Sequence, residues 1–392
     1  MDKAVVSIFK LIKAPIYSHC LSQDKSLLAI TCENKCLIYK INPASKTPQL
    51  VATLDNHDKT VTAVDISIHG RIVTCSQDRN AYVWEPLSDG TYRPTLVLLR
   101  INRAATCVSW APNGYKFAVG SSARIIAVCY YEQENNWWVS KHIKKPIKST
   151  INSLSWHYNG VLLASGGTDG FMRIFSGFIK GLDSKEIMAN SPWGSKFPFG
   201  TLVREQYCGG AYIHDVQWRS NVEKVAFVTH DGTLNILDYQ GTLQSVNSPD
   251  GLPYKSLLWV NDHEILCAGY NCHPTMFSES SQGWKFSRDY DKVAVSNILK
   301  DSSNNLNTNP SNQQFNNSLN NDNVNDDENP TFGISALKKF KELDLKGKVS
   351  LEQKEGAHEN TIVGLIPFVE SNGQITQVSS CGLDGKVVIY NI

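Results

Sequence analysis

The chain has 392 residues, 41% of them hydrophobic and 19% charged, a balance that excludes a disordered or fibrous chain and leaves room for a large buried core. Lys+Arg number 38 against 37 Asp+Glu, a formal net charge of +1, so whole-chain attraction to nucleic acid or anionic membrane is excluded and any basic patch must act locally. The ten cysteines include no C-x-x-C pair, and the expectation is reduced, mostly buried thiols in a cytosolic protein.

From the N-terminus, "MDKAVVSIFKLIKAP" contains an apolar run too short and too broken by lysines for a signal peptide. No later segment approaches the roughly 18 apolar residues of a membrane span. Within it "VVSIFKL" reads as a lone strand without partners in its own unit. A repeating grammar follows: apolar run, polar turn, small-residue strand, turn with Asp, short strand ending in an aromatic or aliphatic pair. It is weak at "YSHCLSQDKSLLAITCENKCLIYKI" and clear at residues 57–85, "HDKTVTAVDISIHGRIVTCSQDRNAYVWE". It is weak again at "TCVSWAPNGYKFAVGSSARIIAVCYY" and clear at residues 150–175, "TINSLSWHYNGVLLASGGTDGFMRIF".

Unit ends at Tyr39, Trp84, Tyr130 and Phe175 recur about every 45 residues, the period of a WD repeat. The remaining copies lie at residues 214–238, at "KSLLWVNDHEILCAGYNCHPTMF" and at residues 358–391. The spacing predicts an all-β, seven-bladed WD-repeat β-propeller occupying residues 1–392. An open array would expose sheet edges, so the N-terminal strand is expected to complete the last blade. Alternation in "GRIVTC" and "GKVVIY" supports strands. Asp78, Asp169, Asp231 and Asp384 fall in tight turns, three of them followed by Gly. His57 and His358 stand where a WD repeat places the partner of such an Asp. With Trp84 they are read as a structural network, not a catalytic dyad.

Three stretches depart from the grammar. "EQENNWWVSKHIKKPIKST", residues 132–150, falls where the third blade needs its outer strand, with Asn135 and Asn136 in the turn. Trp137 and Trp138 must point to opposite faces, and Lys141, Lys144, Lys145 and Lys148 continue toward the next blade. This is a solvated loop or a dock for an acidic protein segment; a nucleic-acid site needs a wider basic field. Residues 177–206 are expected to join the fourth and fifth blades, with Trp193, Phe197 and Phe199 folded back on the propeller or contacting a neighbouring protein. Residues 291–357 form an insertion between blades six and seven. Its tract 301–330 is rich in Asn, Asp and Ser and is expected to be disordered. A helix follows over 335–347, with Ile334, Leu337, Phe340 and Leu343 as an apolar stripe for its own propeller or a partner groove. No catalytic, phosphate-binding or zinc motif is present, and no enzyme, cofactor or metal is expected.

"YYEQENNWWVSKHIKKPIKSTINSLSWH" and "PWGSKFPFG" together resemble the WD-repeat subunit of the actin-nucleating actin-related protein 2/3 complex. The resemblance implies a non-catalytic subunit of a seven-protein assembly that starts a daughter actin filament on the side of a mother filament. It implies contacts with other subunits and with the acidic tails of nucleation-promoting factors, for which Lys141, Lys144, Lys145 and Lys148 are the candidates. It also implies a mother-filament contact through Leu337, Phe340 and Leu343, and a cytoplasmic location on the actin cytoskeleton, with cortical patches. The competing readings are a generic WD adaptor binding an acidic or modified peptide at the channel top, and a nucleic-acid-processing factor.

Overall fold

The computed structural model describes residues 4–41, 47–184, 186, 191–194, 197–291, 356–371 and 373–392. The Asn-rich tract 301–330, the helix expected over 335–347 and Leu337, Phe340 and Leu343 lie outside the described residues. Residues 1–291 and 357–392 make one compact unit.

The first strand, β1 (Val5–Lys10), precedes the repeats. Blade one holds β2 (Ile16–Leu21), β3 (Leu27–Cys32), β4 (Lys35–Ile41) and β5 (Pro48–Leu54). Blade two holds β6 (Val61–Ile66), β7 (Ile72–Ser76), β8 (Ala81–Pro86) and β9 (Tyr92–Val97). Blade three holds β10 (Ala105–Trp110), β11 (Lys116–Ser121), β12 (Ile126–Glu132) and β13 (Trp137–Ile143). Blade four holds β14 (Ile151–Trp156), β15 (Leu162–Gly167), β16 (Phe171–Ser176) and β17 (Leu202–Tyr207). Blade five holds β18 (Ile213–Arg219), β19 (Lys224–Thr229), β20 (Thr233–Asp238) and β21 (Leu243–Asn247). Blade six holds β22 (Tyr254–Asn261), β23 (Glu264–Gly269), β24 (Thr275–Ser280) and β25 (Gly283–Asp289). Blade seven holds β26 (Ile362–Ser371), β27 (Gln374–Gly382) and β28 (Lys386–Asn391), with β1 as its fourth strand.

Each blade is an antiparallel meander. First-to-second and third-to-fourth turns therefore lie on one face of the ring, here the lower. Second-to-third turns and the connections between blades lie on the other, the upper. The first strands of successive blades touch one another around the channel, and β26 meets β2, closing the ring. Val5 of β1 lies opposite Tyr390 and Lys10 opposite Lys386. The backbone N–H of Leu11 donates to Gly385 O at 3.2 Å, and Phe9, Leu11 and Ile12 pack against Ile16, Leu28 and Val387.

The alternating strings "GRIVTC" and "GKVVIY" do form strands, but their burial does not alternate. All of β7, and all of β28 except its last residue, is buried. Second and third strands are sandwiched between neighbouring blades, so both faces are covered; only outer strands such as β5 keep a wet face. A second difference concerns residues 177–206. They run within blade four, from β16 to β17, and do not join blades four and five. "LVREQY" is a half-exposed outer strand with little apolar patterning, which made it read as the end of a loop.

Two buried carboxylates stitch inner strands together. Asp65 Oδ2 accepts the Trp110 N–H at 2.7 Å, and Oδ1 accepts the Cys20 thiol at 3.3 Å, tying blades one, two and three. Asp215 Oδ1 accepts Ser153 Oγ at 2.7 Å and its Oδ2 accepts the Leu257 N–H at 3.0 Å, tying blades four, five and six. Burial pushes the Asp65 carboxyl up to about 6, against hydrogen bonds that favour its ionised form. The unfolded chain releases this proton near pH 3.9. Between about pH 4 and 6 the folded state therefore binds more protons, and Asp65 lowers stability as pH rises through that window. Asp65→Asn removes the titration. Its unfolding free energy relative to the parent chain, from urea titrations at pH 4.5 and pH 7, should shift by about 2 kcal/mol in the variant's favour at the higher pH. An identical difference at both values would mean that Asp65 is ionised throughout.

Candidate functional site

The turn aspartates serve the framework. His57 Nδ1 lies 2.7 Å from Asp78 Oδ2, and His57 Nε2 lies 2.9 Å from Thr74 Oγ1, which also accepts the Trp84 indole N–H at 2.9 Å. His358 repeats this with Asp384 at 3.0 Å and Ser380 at 2.7 Å. Asp169 has no histidine; Arg173 Nη1 takes that place at 2.9 Å, and the Lys148 backbone N–H donates to the same carboxylate at 3.2 Å. Asp231 accepts the Thr229 hydroxyl at 2.5 Å. Each turn needs a residue with positive φ after its Asp: Gly170, Gly232 and Gly385 supply it, and Arg79 adopts it at φ 75°.

Strand β13 separates the paired tryptophans. Trp138 is 7% exposed and packs among Trp110, Phe117 and Tyr131, whereas Trp137 is 58% exposed at the lower end of the strand. Lys141 is exposed at mid-strand, its Nζ 5.7 Å from the Phe199 ring and 5.9 Å from that of Tyr130. Lys144, Lys145 and Lys148 are exposed on the connection to β14, at the upper face. None of the four forms an ion pair among the described residues. His142 Nε2 lies 2.8 Å from Leu99 O, with no carboxylate to orient it. The lysines thus form an uncompensated basic ledge along one blade edge.

The insertion in blade four folds back on the ring. Trp193 is 7% exposed, meets Trp218 at 5.1 Å and donates its indole N–H to Glu223 at 2.8 Å, so it is unavailable as a partner contact. Phe197 and Phe199 are half-buried against the same and the neighbouring cluster. The start of the insertion is held from blade three. Lys116, 0% exposed, contacts Asp183, donates to Gly177 O at 2.9 Å and lies over the Trp156 ring.

A family model described as "WD domain, G-beta repeat" matches residues 48–85 and 140–176. The chain is 71% identical to "Actin-related protein 2/3 complex subunit 1" of Saccharomyces cerevisiae, over 100% of this chain and 98% of that protein. The chain belongs to the actin-related protein 2/3 complex subunit 1 family. It is also 38% identical to the protein of that name from Schizosaccharomyces pombe and 36% identical to "Actin-related protein 2/3 complex subunit 1A-B" of Xenopus laevis, each over at least 96% of both chains.

In this member of the actin-related protein 2/3 complex subunit 1 family, the matched segments start in an outer strand and end in the third strand of the next blade. The sequence repeat is thus offset by one strand from the blade, the same offset that lends β1 to blade seven. Sequence reasoning missed the Lys116–Asp183 pair, Glu223, Asp65 and Asp215. It also missed His214 and Lys255, which line the channel cavity, and His230, which contacts His214. Partners 16 to 67 positions apart leave no spacing signal; only buried charge inside apolar strings, as in "GYKFAVG", hints at them. Among the described residues, no group of three or more His, Cys, Asp or Glu could hold a metal ion. No helix among them is long and apolar enough to cross a membrane.

Proposed function

We propose that this chain is a non-catalytic scaffold subunit of an actin-related protein 2/3 complex, cytoplasmic and associated with actin, supporting the nucleation of branched filaments. The carrying observation is its end-to-end match at 71% identity to a protein named as subunit 1 of that complex. The ring supports the reading: its turn histidines and aspartates are spent on hydrogen bonds within the blades, leaving a rigid platform with one basic edge. On this reading Lys141, Lys144, Lys145 and Lys148 attract acidic activator tails, with an affinity that falls as salt rises. Phe197 and Phe199 retain partial exposure for a neighbouring subunit; Trp193 does not. A mother-filament contact through Leu337, Phe340 and Leu343 rests on their apolar spacing and on the family resemblance.

The test is gentle purification of the tagged full chain. Actin-related proteins and small companion subunits should co-elute in fixed proportion; their absence would favour a generic WD adaptor. In the same preparation, Lys144→Glu with Lys145→Glu should weaken binding of an acidic activator tail by about tenfold at low salt, and less at high salt. Equal affinity at every ionic strength would remove the ledge from the reading.

A further inference from the structure

The channel cavity, about 610 Å³, lies within the roughly 300–1,000 Å³ of small-molecule sites. Exposed Tyr17 and Tyr270 are among its lining residues, so it is open to solvent. Among the described residues that line it, Lys255 is the only lysine or arginine. Lys255 is half-buried on β22, and its Nζ lies 3.3 Å from His214 Nδ1, its one hydrogen-bond partner among the described residues. An ammonium only donates, so this nitrogen accepts. Burial and the charge of Lys255 push the His214 pKa down to about 3, so the imidazole is neutral.

Lys255 is not without countercharge. The Asp215 carboxylate attracts its ammonium, but burial has the larger influence and pulls the Lys255 pKa down. The carboxylate is already engaged: Oδ1 accepts from Ser153 Oγ and the Val216 N–H, and Oδ2 from Ser256 Oγ and the Leu257 N–H. An amine that gives up its proton readily therefore faces an open cavity, the condition for a lysine to act as a nucleophile. Lys116 differs. It is fully enclosed and in contact with Asp183, out of reach of any reagent.

We propose that Lys255 is a covalent site for small uncharged aldehydes, which it holds as an imine inside the channel. The ammonium first releases a proton to water, and the amine lone pair attacks the carbonyl carbon. The nitrogen passes a second proton to the former carbonyl oxygen, giving a neutral carbinolamine. The proton released at the start returns to that hydroxyl, which leaves as water while the nitrogen lone pair forms C=N. Ammonium and aldehyde thus become iminium and water, with no change of charge and no oxidant or reductant. The carboxylate of Asp215 favours the cationic iminium and disfavours an anionic aldehyde, which sets the uncharged class. The site does not rest on membership of the complex.

The test treats the full chain at pH 7 with limiting propionaldehyde and cyanoborohydride, which traps each iminium as an N-propyl lysine. Digestion and mass spectrometry then locate the label. Lys255 should be labelled at least about tenfold faster than Lys144 or Lys145, because each unit by which a lysine pKa falls gives about ten times more free amine. In concentrated urea this preference should vanish. Lys255→Arg should lose the fastest label and keep the others, and mapping of the parent chain alone decides the matter should that variant fail to fold. Glyoxylate, an aldehyde carrying a carboxylate, should show a smaller preference for Lys255 over the ledge lysines. Labelling of Lys255 no faster than that of Lys144 and Lys145 would overturn the proposal. So would a preference that survives urea, which would belong to the local sequence and not to the cavity, or a larger preference with glyoxylate.

Discussion

Asp183→Ala should lower unfolding stability by about 3–5 kcal/mol, the cost of leaving the Lys116 ammonium buried without its countercharge. Lys116 is fully enclosed beneath the insertion of blade four. Burial pulls its pKa down, and Asp183 offsets that pull. Asp183 Oδ2 also accepts the Ile179 N–H at 2.6 Å, so its loss frees the first turn of the insertion as well. The double variant Lys116→Met, Asp183→Leu replaces the pair by apolar volume over the Trp156 ring and should recover most of the loss. Urea titrations of the three chains decide it. A loss below about 1 kcal/mol in Asp183→Ala would mean that the ammonium reaches solvent in the folded state.

Removal of residues 1–10 should have a larger effect and abolish cooperative unfolding. Without β1, blade seven has three strands, and the edge of β28 faces solvent with Val388 and Tyr390 uncovered. Phe9 and Val5, both partly buried, leave their clusters, each at less than the roughly 1.5–3 kcal/mol of a fully buried side chain. Together with the lost ladder, this approaches the whole stability of a typical domain, about 5–15 kcal/mol. The shortened chain should aggregate through the free edge, and a peptide of residues 1–15 added in trans should restore a monomer with a sharp melting transition. A truncated chain that stays monomeric and melts like the parent would show that closure contributes little. Size-exclusion chromatography and thermal circular dichroism supply both readouts.

The ring was legible because its punctuation is local. Thr-Asp-Gly at 168–170, His-Asp-Gly at 230–232 and Leu-Asp-Gly at 383–385 mark hairpins by their own chemistry, and aromatic or aliphatic residues closing each third strand give the period. The placement of Trp137 and Trp138 on opposite faces followed from strand geometry alone. What stayed hidden depends on distance along the chain. Nothing near Asp65 announces Trp110, and nothing near Lys116 announces Asp183; each pairing exists only once blades pack. Residues 202–207 were misread for a related reason: an outer strand needs few apolar side chains, so its polar sequence resembles a loop. His214, His230 and Lys255 are a further case, because segments of two blades contribute a charge and two imidazoles that look ordinary in isolation.

The pairing of Val5 with Tyr390 also sets a schedule. A ribosome adding about 5–20 residues per second needs roughly 20–80 seconds to pass from β1 to its partner strand β28. Throughout that time blade one can fold, yet β1 can only wait, an unpaired apolar strand in a crowded solution. Contacts this remote in sequence form slowly even afterwards. The apolar side chains of β1 and of residues 11–12 are accordingly without their native cover until the last blade is made.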